Sequence, residues 1–142
     1  MRQLVMILLL ILSAKVSSAQ SRSANLKVVV SGLRDNHGEI LVSLFNKQKG
    51  FPANAANSFR KERAKFNKGE ATIVFNDLPA GEYAVAVLHD KNNNRRMDTR
   101  LGIPIEGYGF SNNAKGFMGP PSFRKASFNF KVTATVTVKM KY

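Results

Sequence analysis

The 142-residue sequence contains no cysteine, no tryptophan and only two histidines. Without cysteine the chain has neither a disulfide framework nor a thiolate nucleophile. Two histidines are too few for a histidine-rich metal site, so hydrolytic zinc chemistry lacks its usual ligands. Acidic residues are also scarce: nine Asp and Glu stand against 22 Lys and Arg, which gives a formal net charge of +13. With 5 Pro and 10 Gly, the composition is that of one globular domain of ordinary size.

The first 19 residues have the pattern of a secretory signal peptide. Arg2 supplies the positive start, residues 4–12 are an uninterrupted apolar run, and Ser17-Ser18-Ala19 is a small-residue cleavage pattern. Nine apolar residues are too few to span a bilayer, which needs about 20. We therefore expect an exported protein, periplasmic or extracellular, whose mature domain is residues 20–142. This mature chain would have no transmembrane segment and, without Arg2 and Lys15, a net charge of +11.

The basic charge is densest in residues 47–68, where seven Lys and Arg accompany the single acidic residue Glu62. Outside the cytoplasm nucleic acid is rarely a partner, so we expect no nucleic-acid binding. Anionic membrane headgroups and polysaccharides are plentiful there. The run indicates either a solvated face that keeps the protein soluble or a weak contact with an anionic membrane surface.

Period-two alternation of apolar residues is the dominant pattern and predicts β-strands. The predicted strands cover residues 26–30, 38–46, 70–75, 81–89 and two parts of 126–140. The last stretch should divide near residues 131–133, because a single strand there would extend about 50 Å.

Residues 52–66, rich in Ala, Asn, Arg, Lys and Glu, predict one short helix. The expected fold is therefore all-β: a single antiparallel β-sandwich with a transthyretin- or Ig-like Greek key and a long structured loop at residues 90–122. Val85 and Phe128 should point into its core. In the loop, Ile103, Ile105, Tyr108, Phe110, Phe117 and Met118 should be buried.

Three segments carry a family resemblance: FNDLPAGEYAVAVLHDKNNNRRMD, LGIPIEGYGFSNNA and GPPSF. In this order they resemble the bacterial exported family known only as domain of unknown function 2141 (DUF2141). The resemblance extends over residues 26–142 and implies a small extracytoplasmic β-sandwich without an established activity. The F-x-D-L-P-x-G-x-Y turn at residues 75–83 is also similar to transthyretin-type and carboxypeptidase-regulatory sandwiches, which are mostly non-catalytic modules.

Four side chains have the spacing of calcium ligands. They occupy positions 1, 3, 5 and 9 of a D-x-N-x-N-x-x-x-D series: Asp90, Asn92, Asn94 and Asp98. Position 6, usually Gly in calcium loops and in the family that the chain resembles, is Arg95, and position 12, usually Glu, is Leu101. The series therefore indicates either a weak calcium site, of the roughly 0.1–1 mM extracellular class, or Asp and Asn side chains that cap successive turns.

His89 is the candidate catalytic residue of a second hypothesis, a hydrolase directed at cell-envelope material. It adjoins Asp90, and Glu106, Ser111 and Ser122 follow on the same loop. However, the sequence has no G-x-S-x-G elbow, and a histidine that closes a strand is more often packed or hydrogen-bonded. We therefore expect a protein that is not an enzyme, with no catalytic residues and no cofactor apart from the calcium ion considered above.

The remaining hypothesis is a binding module that uses the loop at residues 90–122. Candidate ligand-binding residues are Tyr108, Phe110, Asn112 and Asn113, which lie among glycines and the Pro120-Pro121 pair. Aromatic rings with uncharged amides suit an envelope ligand such as a peptide or a glycan. Alternatively, aromatics such as Phe110 and Phe123 close the open end of the sandwich. We favour an exported, non-enzymatic binding module whose ligand the sequence does not name.

Overall fold

The computed structural model describes residues 23–142. The predicted signal peptide and its cleavage site lie outside the described residues. The described part contains ten strands and one short helix: β1 Ala24–Ser31, β2 Glu39–Phe45, β3 Arg60–Asn67, β4 Glu70–Leu78, β5 Gly81–Asp90, β6 Thr99–Arg100, β7 Ile103–Pro104, β8 Gly107–Phe110, α1 Phe123–Ala126, β9 Phe128–Phe130 and β10 Ala134–Lys139. Within residues 23–142, no helix has the length and apolar character needed to cross a membrane.

Eight of these strands form one strongly curled sheet. Seven follow the order β10-β1-β4-β3-β2-β5-β8, and β9 pairs with the first residues of β5. The two edges of the sheet meet at Tyr108 and Lys141, whose backbone N–H groups donate to each other's carbonyl oxygens over 2.9 and 2.7 Å. The sheet is therefore nearly closed and barrel-like.

The all-β prediction is confirmed, but the predicted antiparallel β-sandwich needs correction. β1 and β10 run parallel, with Leu26 opposite Ala134 and Ser31 opposite Lys139. The strands also belong to one continuous sheet instead of two clearly separate layers. Alternation in a sequence identifies the buried face of each strand, but it contains no information on the direction of the neighbouring strand.

The core lies inside the curled sheet. Its inward-facing side chains come from most strands and are almost completely buried, among them Leu26, Val28, Ile40, Val42, Phe75 and Val85. The predicted inward position of Val85 is thus confirmed. Phe128 is partly buried against the same core, and Phe130 on the same face is 2% exposed. The predicted division of the C-terminal stretch is also confirmed, because β9 ends at Phe130 and β10 begins at Ala134.

The predicted helix within residues 52–66 is wrong. Only Ala55–Asn57 form a 3-10 turn there, and Arg60–Asn67 form β3. β3 pairs with β2 on one side and with β4 on the other, so the sheet hydrogen bonds outweigh the helix propensity of its Arg, Lys, Glu and Ala residues. The short helix α1 lies elsewhere, at Phe123–Ala126.

Residues 90–122 are structured, as predicted. They contain β8, the short hairpin of β6 and β7, and a 3-10 turn at Ser111–Asn113. The expected burial of their apolar residues is correct for Phe110 and partly correct for Tyr108. It is wrong for the other four, which are exposed: Ile103, Ile105, Phe117 and Met118. Ile103 lies in the short strand β7, and the other three lie in connecting segments.

Candidate functional site

A long groove lies on the outer face of the sheet, over β3, β2, β5 and β8. Strand register builds its floor from two parallel rows of side chains. The first row is Arg63, Leu41, Leu88 and Tyr108. The second row is Lys61, Ser43, Ala86 and Phe110. Each row therefore begins with a basic residue on β3, crosses small or aliphatic side chains and ends with an aromatic ring on β8.

Two segments of the loop wall the groove. The first arm is residues 95–104, which include the β6–β7 hairpin, and the second arm is residues 114–121. Ile103 and Pro104 of the first arm and Met118 and Pro120 of the second line the cavity, whose volume is about 1470 Å³. A cavity of this size exceeds the usual 300–1,000 Å³ range of small-ligand sites. The groove thus has room for an elongated ligand.

The charge of the groove has one predominant sign. Six basic residues line it: Lys61, Arg63, Arg95, Arg96, Lys115 and Lys141. Glu62 is the only acidic residue among the lining residues. Positive charge around an apolar floor attracts ligands that combine an apolar body with a negative group.

A second apolar cluster holds the loop against the sheet beside this groove. Phe51 contacts three other rings edge-on, with centroid distances of 5.3 Å to Phe45, 6.0 Å to Phe110 and 5.8 Å to Phe123. Ala84 and Ala86 of β5 complete the cluster. The small alanine side chains let these rings approach the outer face of β5, which fixes the base of the second arm.

Two buried carboxylates fix the base of the first arm. Asp90 accepts the backbone N–H groups of Asn94 and Arg95, at 3.1 and 2.7 Å. Glu106 accepts those of Lys91 and Asp98, at 2.9 and 3.1 Å. Sequence reasoning missed this role of Glu106, because its partners are main-chain groups that leave no pattern in the sequence. The arm is thereby held by hydrogen bonds at both of its ends.

The structure brings all four predicted calcium ligands together. Asn92 and Asn94 donate their side-chain amides to the Asp98 carboxylate, at 2.5 and 2.9 Å. Both oxygens of Asp90 accept backbone N–H groups, and Arg95 at position 6 has a left-handed φ of 63°. Among the described residues, no three His, Cys, Asp or Glu side chains form a group that could hold a metal. Calcium binding stays a prediction, and the turn-capping alternative describes the hydrogen bonds of this chain.

The four predicted ligand-binding residues divide into two pairs. Tyr108 and Phe110 end the two rows of the groove floor. Asn112 and Asn113 are engaged with the chain itself: Asn112 donates to the carbonyl of Ser127 at 2.7 Å, and Asn113 accepts the N–H of Lys139 at 3.1 Å. Only the aromatic pair is therefore placed to contact a ligand in the groove.

His89 is completely buried on the inner face of β5. Its Nε2 lies 2.8 Å from the carbonyl oxygen of His37, and its Nδ1 lies 2.6 Å from the Tyr142 hydroxyl. Because a carbonyl oxygen can only accept, Nε2 carries a proton, and Nδ1 pairs with the Tyr142 hydroxyl. Ser111, also completely buried, bridges the N–H of Val85 and the carbonyl of Ala126. Both side chains thus have structural partners.

Asp35 connects the turn before β2 to the end of β5. Its carboxylate accepts from Lys91 Nζ at 2.5 Å and from the backbone N–H of His37 at 3.1 Å. The hydrogen bond from Lys91, supported by that of His37, lowers the pKa of Asp35 to about 2. Asp35 is therefore ionised at neutral pH and holds Lys91 beside the base of the first arm.

Comparison with family models identifies the chain. Residues 28–138, which run from β1 to β10 and include the groove floor and both arms, match the family described as "Uncharacterized protein conserved in bacteria (DUF2141)". Comparisons with curated proteins and with solved structures give no match. The predicted transthyretin-like character therefore rests on the sequence resemblance alone. Because the match extends over more than half of the sequence, the chain belongs to the DUF2141 family.

Proposed function

We propose that this protein is a non-enzymatic binding module of the bacterial cell envelope, and that its ligand is an elongated amphipathic molecule with negative charge. The observation that carries the proposal is the groove, in which an apolar floor lies under two separately anchored arms and six basic side chains. The expected export of the chain places such a ligand in the envelope or outside the cell.

The floor favours an amphipathic ligand over a purely polar one. Leu41 and Leu88 are neighbours across β2 and β5, and Tyr108 follows Leu88 on β8. All three are partly exposed on the outer face. Burial of large apolar side chains away from water is energetically favourable. A ligand with an aliphatic or aromatic body would remove this surface from water, and Lys61 would meet its negative group, whereas Arg63 already pairs with Glu39 at 3.0 Å.

The positions of the candidate catalytic residues support a role other than hydrolysis. His89 faces the interior, and its two ring nitrogens have partners from the chain. Glu106 accepts main-chain N–H groups with both oxygens, and Ser111 contacts main-chain groups of Val85 and Ala126. A nucleophile, a base and an acid would have to converge on a substrate. His89, Glu106 and Ser111 instead stabilise the part of the fold that carries the groove.

The proposal is tested with N-phenyl-1-naphthylamine, a neutral fluorophore whose emission increases in apolar sites. We expect saturable binding to the wild-type protein. Leu88→Gln should weaken binding about tenfold, because loss of one covered leucine removes about 1.5 kcal/mol of apolar contact. Val74→Gln is the matched control, since Val74 is exposed on β4 and does not line the groove.

Circular dichroism of each variant reports whether the fold is retained. Equal weakening by Leu88→Gln and Val74→Gln would indicate nonspecific adsorption and would contradict the proposal. The absence of saturable binding to the wild-type protein would contradict it as well.

A further inference from the structure

Five large apolar side chains between residues 101 and 118 project into solvent. Leu101 at the tip of the β6–β7 hairpin is 96% exposed, and Phe117 and Met118 at the tip of the second arm are 91% and 93% exposed. Ile103 and Ile105 are also exposed. Five such side chains in one 18-residue segment favour an interaction surface, whereas single exposed apolar groups are common on any protein. We name Leu101, Ile103, Phe117 and Met118 the apolar tips.

The backbone at the tips does not require apolar residues. Leu101 and Gly102, which connect β6 to β7, have φ angles of 51° and 78°. A two-residue hairpin turn with both φ values positive is most favourable with Asn-Gly, because a bulky side chain is strained there. Met118, with φ of 54°, is in the same left-handed region. Asparagine would therefore be more favourable at these positions for the local fold. We infer that the apolar side chains take part in an interaction outside the fold.

The charges around the tips have one sign. Between residues 95 and 120, the exposed charged side chains are Arg95, Arg96, Arg100 and Lys115. The two acidic residues of this segment are engaged, since Glu106 is buried and Asp98 accepts from Asn92 and Asn94. A partner of the tips should therefore be negatively charged at its surface and apolar beneath it.

We propose that the apolar tips insert into the headgroup region of an anionic bilayer while the four surrounding basic residues contact lipid phosphates. Three of the four tips, Leu101, Phe117 and Met118, are more than nine-tenths exposed, which fits a lipid surface that needs no complementary shape. Ile103 and Met118 also line the groove, so docking would turn the groove toward the bilayer. This locates membrane contact on residues 95–118, whereas the basic run at residues 47–68 was the region indicated by the sequence. Docking does not require that the groove be occupied.

The experiment measures cosedimentation of the protein with vesicles of phosphatidylcholine alone or mixed with phosphatidylglycerol. We expect binding to the anionic vesicles that decreases as salt increases. The double variant Leu101→Asn with Met118→Asn keeps the net charge and suits the left-handed backbone at both positions. It should reduce partitioning about tenfold for each apolar side chain removed. It should also unfold at a temperature no lower than that of the wild-type protein.

Val132→Thr is the matched control, because Val132 is 70% exposed on the connection between β9 and β10. It should leave vesicle binding unchanged. Removing charge with Arg95→Gln and Arg100→Gln should reduce binding about fivefold for each residue.

Equal partitioning of wild-type protein and the double variant would overturn the proposal, and so would equal binding to neutral and anionic vesicles. A self-association that the double variant abolishes, without vesicle binding, would assign the tips to a protein interface and would also overturn it. Neutral-fluorophore binding by the wild-type protein, measured in parallel, reports on the groove separately, because Met118 of the double variant itself lines the groove. Absence of fluorophore binding would contradict the proposed function, whereas absence of vesicle binding alone would contradict only the docking of the tips.

Discussion

At the scale of single residues, the buried polar groups explain how an open groove is held on a small domain. Asp90, Glu106, His89 and Ser111 are all buried, and each has hydrogen-bond partners. Among the described residues, no buried side-chain nitrogen or oxygen atom lacks a partner. Buried polar groups with complete hydrogen bonding fix one arrangement of the segments they join. Here Asp90, Glu106 and Ser111 join the sheet to the loop that forms the groove, whereas His89 joins β5 to the turn before β2 and to the C-terminal residue.

Tyr142→Phe tests this structural role of His89. The ring would still pack against His89, but Nδ1 would lose its hydroxyl partner at 2.6 Å, and the exposed Arg34 N–H would lose an acceptor at 3.3 Å. A buried nitrogen without a partner destabilises a protein by about 1–3 kcal/mol. We expect a decrease of this size in the free energy of unfolding, measured by urea denaturation.

Tyr108→Phe is the control for Tyr142→Phe, because the Tyr108 hydroxyl makes no hydrogen bond within residues 23–142. Its effect should stay within about 0.5 kcal/mol. If the two variants lose equal stability, the hydrogen bond to His89 does not have the structural role described here.

At the scale of elements, the sequence predicts the strands whose two faces differ. The apolar alternation of β1, β4 and β5 shows which residues face the core, and these strands form close to their expected positions. β3 was missed because its composition favours a helix, although the two-residue turn Lys68-Gly69 joins it directly to its partner β4. β8 was missed because Gly107 and Gly109 occupy its inner face, so no apolar alternation is visible.

These two glycines allow β8 to approach the C-terminal segment closely. An added Cβ on Gly107 would lie 2.4 Å from the ring of Tyr142, and one on Gly109 would lie 2.7 Å from Val138. In the structure, the backbone approaches its own chain and nearly closes the sheet.

The loop at residues 90–98 is the element on which the calcium hypothesis depends. Its hydrogen bonds occupy the carboxylates of Asp90 and Asp98, and exposed Arg95 adds positive charge. We therefore expect the melting temperature to change by less than about a degree in 10 mM calcium. A site with a dissociation constant near 1 mM would instead stabilise the fold by about 1.4 kcal/mol, or several degrees.

Arg95→Gly and Asp98→Asn give the calcium measurement its controls. Arg95→Gly removes a positive charge and suits the left-handed backbone at this position, so it should favour calcium if any variant does. A calcium-dependent rise in melting temperature that Asp98→Asn abolishes would contradict the turn-capping alternative and support the metal site.

At the scale of the whole molecule, the fold separates an apolar interior from the outer face on which we propose ligand binding. The core fills the inside of the nearly closed sheet, so the outer face is the surface on which a ligand can bind. On this face the 90–122 loop forms the walls of the groove. The sequence identifies this loop as a candidate binding element. It does not identify the groove floor, because the floor comes from alternate residues of four strands. Export and cleavage after Ala19 stay predictions that the signal pattern supports.

The measurement that tests the central claim most directly is a titration of isotope-labelled protein with dodecyl phosphate below its micelle concentration, followed by amide NMR. We predict that the shifted amides belong to the floor, at residues 41–43, 61–63, 86–88 and 108–110, and to the non-proline residues of the two arms, 95–104 and 114–121. Amides of β1 and β4, such as those of Lys27 and Val74, should keep their positions. Saturable shifts confined to β1 and β4, or no saturable shifts at all, would contradict the assignment of the groove as the binding site.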